Sequence, residues 1–258
     1  MLYLLQKESE YPEIEIMTLR EELEEQKHIH SYCFISLNGM LNDINKTDID
    51  INRTVPVGSI EFVQAFLSKF YKIDHMSPIE VPKELRLSKF LRREYKIVDK
   101  ENLLSLSEDL NCAFVKDVSK LKGFSFSGDL KYLMENYDIG SGPYVVSSLK
   151  NLLSEYRVFV LDDKILGINW YNGDPLIMPT PEHIKTIKEM VLRYSLSKTR
   201  PSAYTIDVAI VEEDKPEIMI IECHPFVSVG LYGFSGYQLS ECYAKGFKWY
   251  KDCNIGII

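Results

Sequence analysis

The chain has 258 residues, enough for one large domain or two to three small subdomains around a proper core. A formal charge of −8 gives no basic field to draw nucleic acid or an anionic membrane, and 45% hydrophobic with 26% charged residues is ordinary for a soluble globular protein. Five scattered cysteines without a CxxC pair argue against a disulfide framework or a cysteine zinc site, and no apolar run approaches the ~20 residues of a membrane span, so a cytoplasmic location is expected.

Residues 2–5 read as a first strand, without the cleavage pattern of a signal peptide. Residues 18–26 read as a charged helix, with Thr18 as N-cap and Glu21 at capping-box spacing. A strand is expected at 31–37 and a short extended segment at 54–59. The latter runs into residues 60–70, whose apolar positions fall at helical spacing behind Ser59, read as a cap. A polar, proline-bounded connector with a short helix follows at 81–92. Residues 112–116 form a compact apolar strand ending in Lys116, residues 120–128 a small-residue loop, and Gly140-Ser-Gly-Pro143 breaks the chain before a strand at 144–148. Residues 156–161 and 164–169 alternate around Asp162-Asp163 as a hairpin. Thr180 caps a helix at 181–196, and a final helix lies near 237–249. Between them, strands at 204–211 and 217–225 flank the turn Glu212-Glu-Asp-Lys-Pro216. Mixed elements with antiparallel hairpins late in the chain give the fold class α+β.

That last hairpin carries the chemistry. Glu222 and His224 share a strand face while Cys223 points opposite, and pairing across the turn brings Asp207 close. Two carboxylates and one neutral ligand at the end of an apolar strand make an oxygen-rich site suited to Mg²⁺, which suggests a nucleoside triphosphate. Glu222 follows Ile218-Met-Ile-Ile221, and an acid so close to a buried run needs a partner; His224 is either a ligand or a satisfied core histidine. Lys116 is either a solvated strand end or a phosphate contact. The loop holding Lys122-Gly123 and Ser127-Gly128 could lay N–H groups over phosphates, but it matches neither GxxxxGK[ST] nor GxGxxG. Arg157 shares a face with Glu155, either as a surface ion pair or as a clamp on a carboxylate or phosphoryl group. His28, His30, His75 and His183 carry no signal, no serine sits in GxSxG, and the aromatic tail (Tyr232, Phe234, Tyr237) reads as core before it reads as pocket lining.

In order, the chain offers a strand lysine, a lysine-bearing small-residue loop, a strand behind Gly-Pro, an ExR hairpin, and Asp followed on the next strand by Glu-x-His. This order resembles the ATP-grasp superfamily. Val55-Pro-Val-Gly-Ser-Ile-Glu-Phe62, Ser154-Glu-Tyr-Arg-Val-Phe-Val160 and Ile221-Glu-Cys-His-Pro-Phe-Val-Ser-Val-Gly-Leu-Tyr232 narrow the likeness to the bacterial and phage clade named for one arginine and two lysines. Those three map to Arg157, Lys116 and Lys122. The resemblance implies two α+β subdomains gripping ATP, residues 101–145 and 146–258, behind a Rossmann-like pre-ATP-grasp region at 1–100. It implies that Lys116, Lys122 and Gly123 meet the phosphates, and that Val145, Val146, Ser147, Ser148 and Leu149 form the hinge that reads adenine. Asp207 and Glu222 would hold Mg²⁺, with His224 where the family carries an asparagine. The implied reaction is carboxylate–amine ligation through an acyl phosphate, with Arg157 holding the carboxylate and Lys122 assisting transfer. The acceptor would be a small molecule, a peptide or a protein end. The alternatives are a nucleotide-binding module that has lost catalysis, or a phosphotransferase.

Overall fold

The computed structural model describes residues 1–6, 14–33, 49–74, 80–109, 112–119 and 123–255. The first apolar run forms β1 (Leu2–Gln6), which lies between β2 (Ile29–Cys33) and β3 (Thr54–Val57) in a parallel sheet of order β2-β1-β3. Parallel neighbours need a crossover, and α1 (Ile14–Glu25) supplies it between β1 and β2. α1 begins upstream of the expected start, so Thr18 lies inside the helix. Its Oγ1 donates back to Ile14 O at 2.8 Å, and it caps nothing. β3 runs into α2 (Ile60–Tyr71), whose cap is Ser59; its Oγ accepts from Phe62 N at 3.3 Å.

These elements share one core with the C-terminal helix α7 (Leu239–Asn254). Leu4, Leu19 and Phe66 pack with Phe226 and Phe247, and also with Phe159 of a later sheet. The buried Glu22 carboxylate ties α1 to α7 by accepting from Leu239 N and Ser240 N at 3.1 and 2.9 Å, which satisfies the orphan donors of a helix start. Gly246 lets α7 sit this close, because a Cβ there would lie 2.3 Å from Phe226 O. Gly246→Ala is therefore expected to overpack the core by roughly 1–3 kcal/mol, read as a lowered melting temperature.

The second sheet is antiparallel, of order β4-β7-β5-β6, built from β4 (Tyr95–Val98), β5 (Cys112–Asp117), β6 (Ser125–Asp129) and β7 (Tyr144–Ser147). It takes in β4 from before residue 101 and β7 through Ser147. β6 stands where a loop was expected. Its polar, small residues carry no strand pattern, and its pairing with β5 from Cys112↔Asp129 to Lys116↔Ser125 makes it a strand. α4 (Lys100–Asp109) and α5 (Leu130–Asn136) cover one face, where Leu103, Leu130 and Leu133 pack on Ala113, Val115 and Val146.

The third sheet, order β11-β10-β8-β9, is also antiparallel, with β8 (Leu152–Leu161), β9 (Lys164–Gly173), β10 (Ala203–Val211) and β11 (Glu217–Pro225). Asp162 and Asp163 both have left-handed φ, 47° and 63°, as a tight hairpin turn demands. On one face α3 (Ser88–Leu91) and α6 (Pro181–Tyr194) pack against Val158, Ile206, Val208 and Ile220. His183 is a buried part of the α6 cap. Thr180 Oγ1 accepts from its backbone N–H, and its Nε2 meets Pro216 O at 2.9 Å. No helix among the described residues is long and apolar enough to cross a membrane.

Candidate active site

Between the second and third sheets lies a cleft of about 300 Å³. β5 and β7 contribute Lys116, Val145 and Ser147, the segment after β7 contributes Ser148, Leu149 and Lys150, and β8 and β11 contribute Glu155, Met219, Ile221 and Glu222. Alternation divides the expected hinge. Val145 and Ser147 face the cleft with Ser148 and Leu149, whereas Val146 turns the other way into the core beneath α4 and α5. Gly123 does not line the cleft; it lies against Asp117. Lys122 lies outside the described residues, as does the expected loop from 120 to 122.

A one-residue bulge puts the key acid in place. Asp207 pairs with Glu222, but Val208 pairs with Ile220, so Ile221 is the extra residue on β11. Before the bulge, Ile218 and Ile220 point into the core under α6; after it, Cys223 does. Without that parity change, strict alternation would send Glu222 into the core behind Ile220. With it, Glu222 and His224 face the cleft side. Asn169, Arg157, Asp207 and Glu222 then stand in register in one row across the four strands.

Two clusters occupy this row. Glu222 accepts from Lys116 Nζ at 2.6 Å through Oε2, and His224 Nε2 lies 2.7 Å from its Oε1. The lysine comes from β5 and the acid from β11, so this ion pair bridges the cleft. Burial alone would raise the Glu222 carboxyl, but His224 and the Lys116 ammonium outweigh it and hold the group well below its ordinary range. Glu222 is thus an anion with a cation on either side.

Deeper in the row, Arg157 forms a two-pronged pair with Asp207: Nε to Oδ1 at 2.8 Å and Nη2 to Oδ2 at 2.7 Å. Its Nη1 donates to Gly230 O at 3.1 Å. The two side chains are 10% and 2% exposed. Burial and the Glu222 charge press the Asp207 carboxyl upward, and burial opposes the Arg157 charge. The twofold charge-assisted bond wins and pushes the Arg157 pKa up, so the proton stays on the guanidinium. Tyr171 and Tyr232 stack at 5.1 Å and cover it at 5.8 and 5.0 Å. Burial and the nearby carboxylates raise the Tyr171 phenol, which stays neutral and donates to Glu155 Oε2 at 2.9 Å. Of the aromatic tail only Phe234 is core, stacked on Phe159 at 4.1 Å; Tyr232 and Tyr237 are exposed because the loop carrying them runs over the surface.

The donor set can be tested against a divalent cation. Among the described residues no group of three or more His, Cys, Asp or Glu is arranged to hold a metal. Magnesium asks for less, since it binds through one or two carboxylates and completes its shell with waters and substrate phosphates. Glu222 fits that demand. Asp207, its neighbour in register, has both oxygens in the Arg157 fork and only second lone pairs to offer. Arg93, Tyr95 and Met219, which also line the cleft, carried no signal in the sequence.

A second cavity of about 380 Å³ adjoins Gly230, lined by Glu15, Gly58, Ser59, Ser228 and Tyr243 among others. The buried Ser228 Oγ has no hydrogen-bond partner among the described residues.

A comparison with curated protein sequences gives no match. Solved structures share the fold across nearly the whole chain at low identity. D-cycloserine synthetase DcsG aligns over 100% of both chains at 10% identity with a TM-score of 0.54. D-alanyl-alanine synthetase A from Vibrio cholerae aligns over 99% of this chain and 98% of its own, at 11% identity and 0.53. The ATP-grasp ligase PsnB, complexed with a minimal precursor, covers 95% and 98% at 13% identity and 0.52. A family model, the ATP-grasp domain of family 2 in the clade named for one arginine and two lysines, matches residues 90–242, the stretch that holds both cleft-forming sheets. The chain therefore belongs to the ATP-grasp superfamily, in the second family of that clade.

Proposed function

We propose that the protein is an ATP- and Mg²⁺-dependent carboxylate–amine ligase that works through an acyl phosphate. The observation that carries this reading is the cation–carboxylate array of Lys116, Glu222 and His224, set across a cleft from the hinge residues Ser147 to Leu149. Val145, Ser147, Ser148 and Leu149 receive the base, with the backbone of Val146 between them. Lys116 turns from Glu222 to a phosphate when nucleotide enters, and the segment with Lys122 and Gly123 completes the phosphate contacts. Glu222 holds Mg²⁺ with help from Asp207, and the metal supplies charge neutralisation on the transferring phosphoryl group. His224 serves by orienting Glu222, as the partners of ligating carboxylates commonly do.

Arg157 acts on the acyl side. Asp207 and Gly230 take three of its five N–H groups, which leaves two for a substrate carboxylate and the oxyanion that follows. The cavity beside Gly230 receives that carboxylate and the attacking amine, from an amino acid, a peptide or a protein end. The α2 N-terminus and the Ser228 hydroxyl supply polar partners there. The exposed free thiol of Cys112 fits a reducing compartment such as the cytoplasm.

The test uses hydroxylamine as a general amine: the protein, ATP and Mg²⁺ are incubated with pools of carboxylates. ADP release with hydroxamate formation is expected. Phosphorylated product without hydroxamate would make the protein a phosphotransferase. Arg157→Lys should lose roughly 10²–10³-fold in ADP release while keeping its affinity for a non-hydrolysable ATP analogue. A parallel fall in affinity would move Arg157 to the phosphate clamp. One observation favours a second reading, a binding module without catalysis: both oxygens of Glu222 already have protein partners. That reading requires nucleotide binding with no ADP release from any pool.

A further inference from the structure

Arg92 and Arg93 are neighbours in sequence with opposite surroundings. Arg92 pairs with Glu213 at 3.0 Å and Glu217 at 3.1 Å. Arg93 lines the cleft, and no carboxylate among the described residues lies within 4.0 Å of its guanidinium. Its Nη2 donates to Ile221 O at 3.0 Å, its Nη1 lies 3.9 Å from Met219 Sδ, and its buried Nε has no partner among the described residues. Burial depresses its pKa, and the charges of Tyr95 and Glu222 oppose this in part. A desolvated guanidinium without a counter-ion is costly, and a bound anion would relieve that cost.

Its position says which anion. Ile221, which accepts from Arg93, directly precedes Glu222, while Met219 lies on the side of the hinge residues Ser148 and Leu149. The guanidinium thus stands between the end of the cleft that takes a base and the end that takes the metal-bound phosphates. We propose that Arg93 binds the α-phosphate, the one nearest the nucleoside, of the nucleotide held in this cleft. This assignment rests on the nucleotide reading above. A planar fork suits a phosphate with two free oxygens, whereas Lys116, beside Glu222, is left to the outer phosphates.

The experiment compares adenosine, AMP and a non-hydrolysable ATP analogue by calorimetric titration of wild type, Arg93→Met and Arg93→Lys. Arg93→Met keeps the length and apolar bulk of the side chain. It should leave adenosine affinity unchanged and weaken both AMP and the analogue roughly ten- to a hundredfold, the worth of one charge-assisted hydrogen bond. Arg93→Lys should recover part of both. If Arg93→Met does not fold, Arg93→Lys alone decides, since loss of bidentate geometry should still weaken AMP and spare adenosine. Unchanged AMP affinity, or adenosine weakened as much as AMP, would overturn the assignment and leave Arg93 a brace between its loop and β11. A wild type that binds none of the three overturns the nucleotide reading itself, which separates the two failures.

Discussion

Glu222→Gln is expected to erase the Mg²⁺ dependence of nucleotide binding while leaving the protein folded. The glutamine keeps the shape and one acceptor oxygen, so Lys116 retains a hydrogen bond and loses only an ion pair. Both side chains are 27% exposed, and pairs of that kind contribute about 0.2–1 kcal/mol. The melting temperature should therefore shift by only a few degrees. The functional effect should be far larger. The metal contributes several kcal/mol to charge neutralisation in the transition state, so ADP release should fall by at least roughly a hundredfold. Without Mg²⁺ the expectation reverses, because Lys116 in the mutant no longer faces a carboxylate and is free for phosphate. The mutant should then bind the metal-free analogue at least as well as wild type does. Calorimetric titration with and without Mg²⁺ checks both limbs, and a mutant with wild-type Mg²⁺ dependence would remove the metal from Glu222.

Much of the frame that holds this acid was readable from local chemistry. The β8–β9 and β10–β11 hairpins announce themselves by period-two alternation and turn residues, and α2 and α6 by apolar spacing behind Ser59 and Thr180. What escaped depends on partners distant in the chain. β6 is a strand because β5 lies beside it, and α4 and α5 are polar helices whose buried stripes emerge only against the second sheet. The bulge at Ile221 exists only relative to β10, so no periodicity within β11 reveals that Glu222 and Ile220 point opposite ways. The Lys116–Glu222 contact joins positions 106 residues apart. The family resemblance linked those two residues to one nucleotide; nothing in their own neighbourhoods did. Arg93 had no such help, since an arginine at a strand entrance looks alike whether or not an acid waits for it.

Asp207→Ala is expected to destabilise the fold by about 3–5 kcal/mol, because it strands the Arg157 guanidinium in a site that excludes water. For a chain of this size that corresponds to a melting temperature lower by roughly 6–20 °C. The pair is costly to break and yet dispensable for folding, which yields a sharper test. Replacing both members with apolar residues, Arg157→Met with Asp207→Leu, should recover most of the lost stability, since the desolvation cost of two charges disappears with them. The same double variant should have no ligase activity. Guanidinium-chloride unfolding of the single and double variants checks the cycle, and an Asp207→Ala protein within about 1 kcal/mol of wild type would mean that the fork is not the buried pair described. If stability returns in the double variant while ADP release does not, the charges of this pair serve chemistry rather than folding. Asp207 would then be understood first as the residue that fixes the Arg157 fork beside the acyl site, and only second as a neighbour of the metal at Glu222.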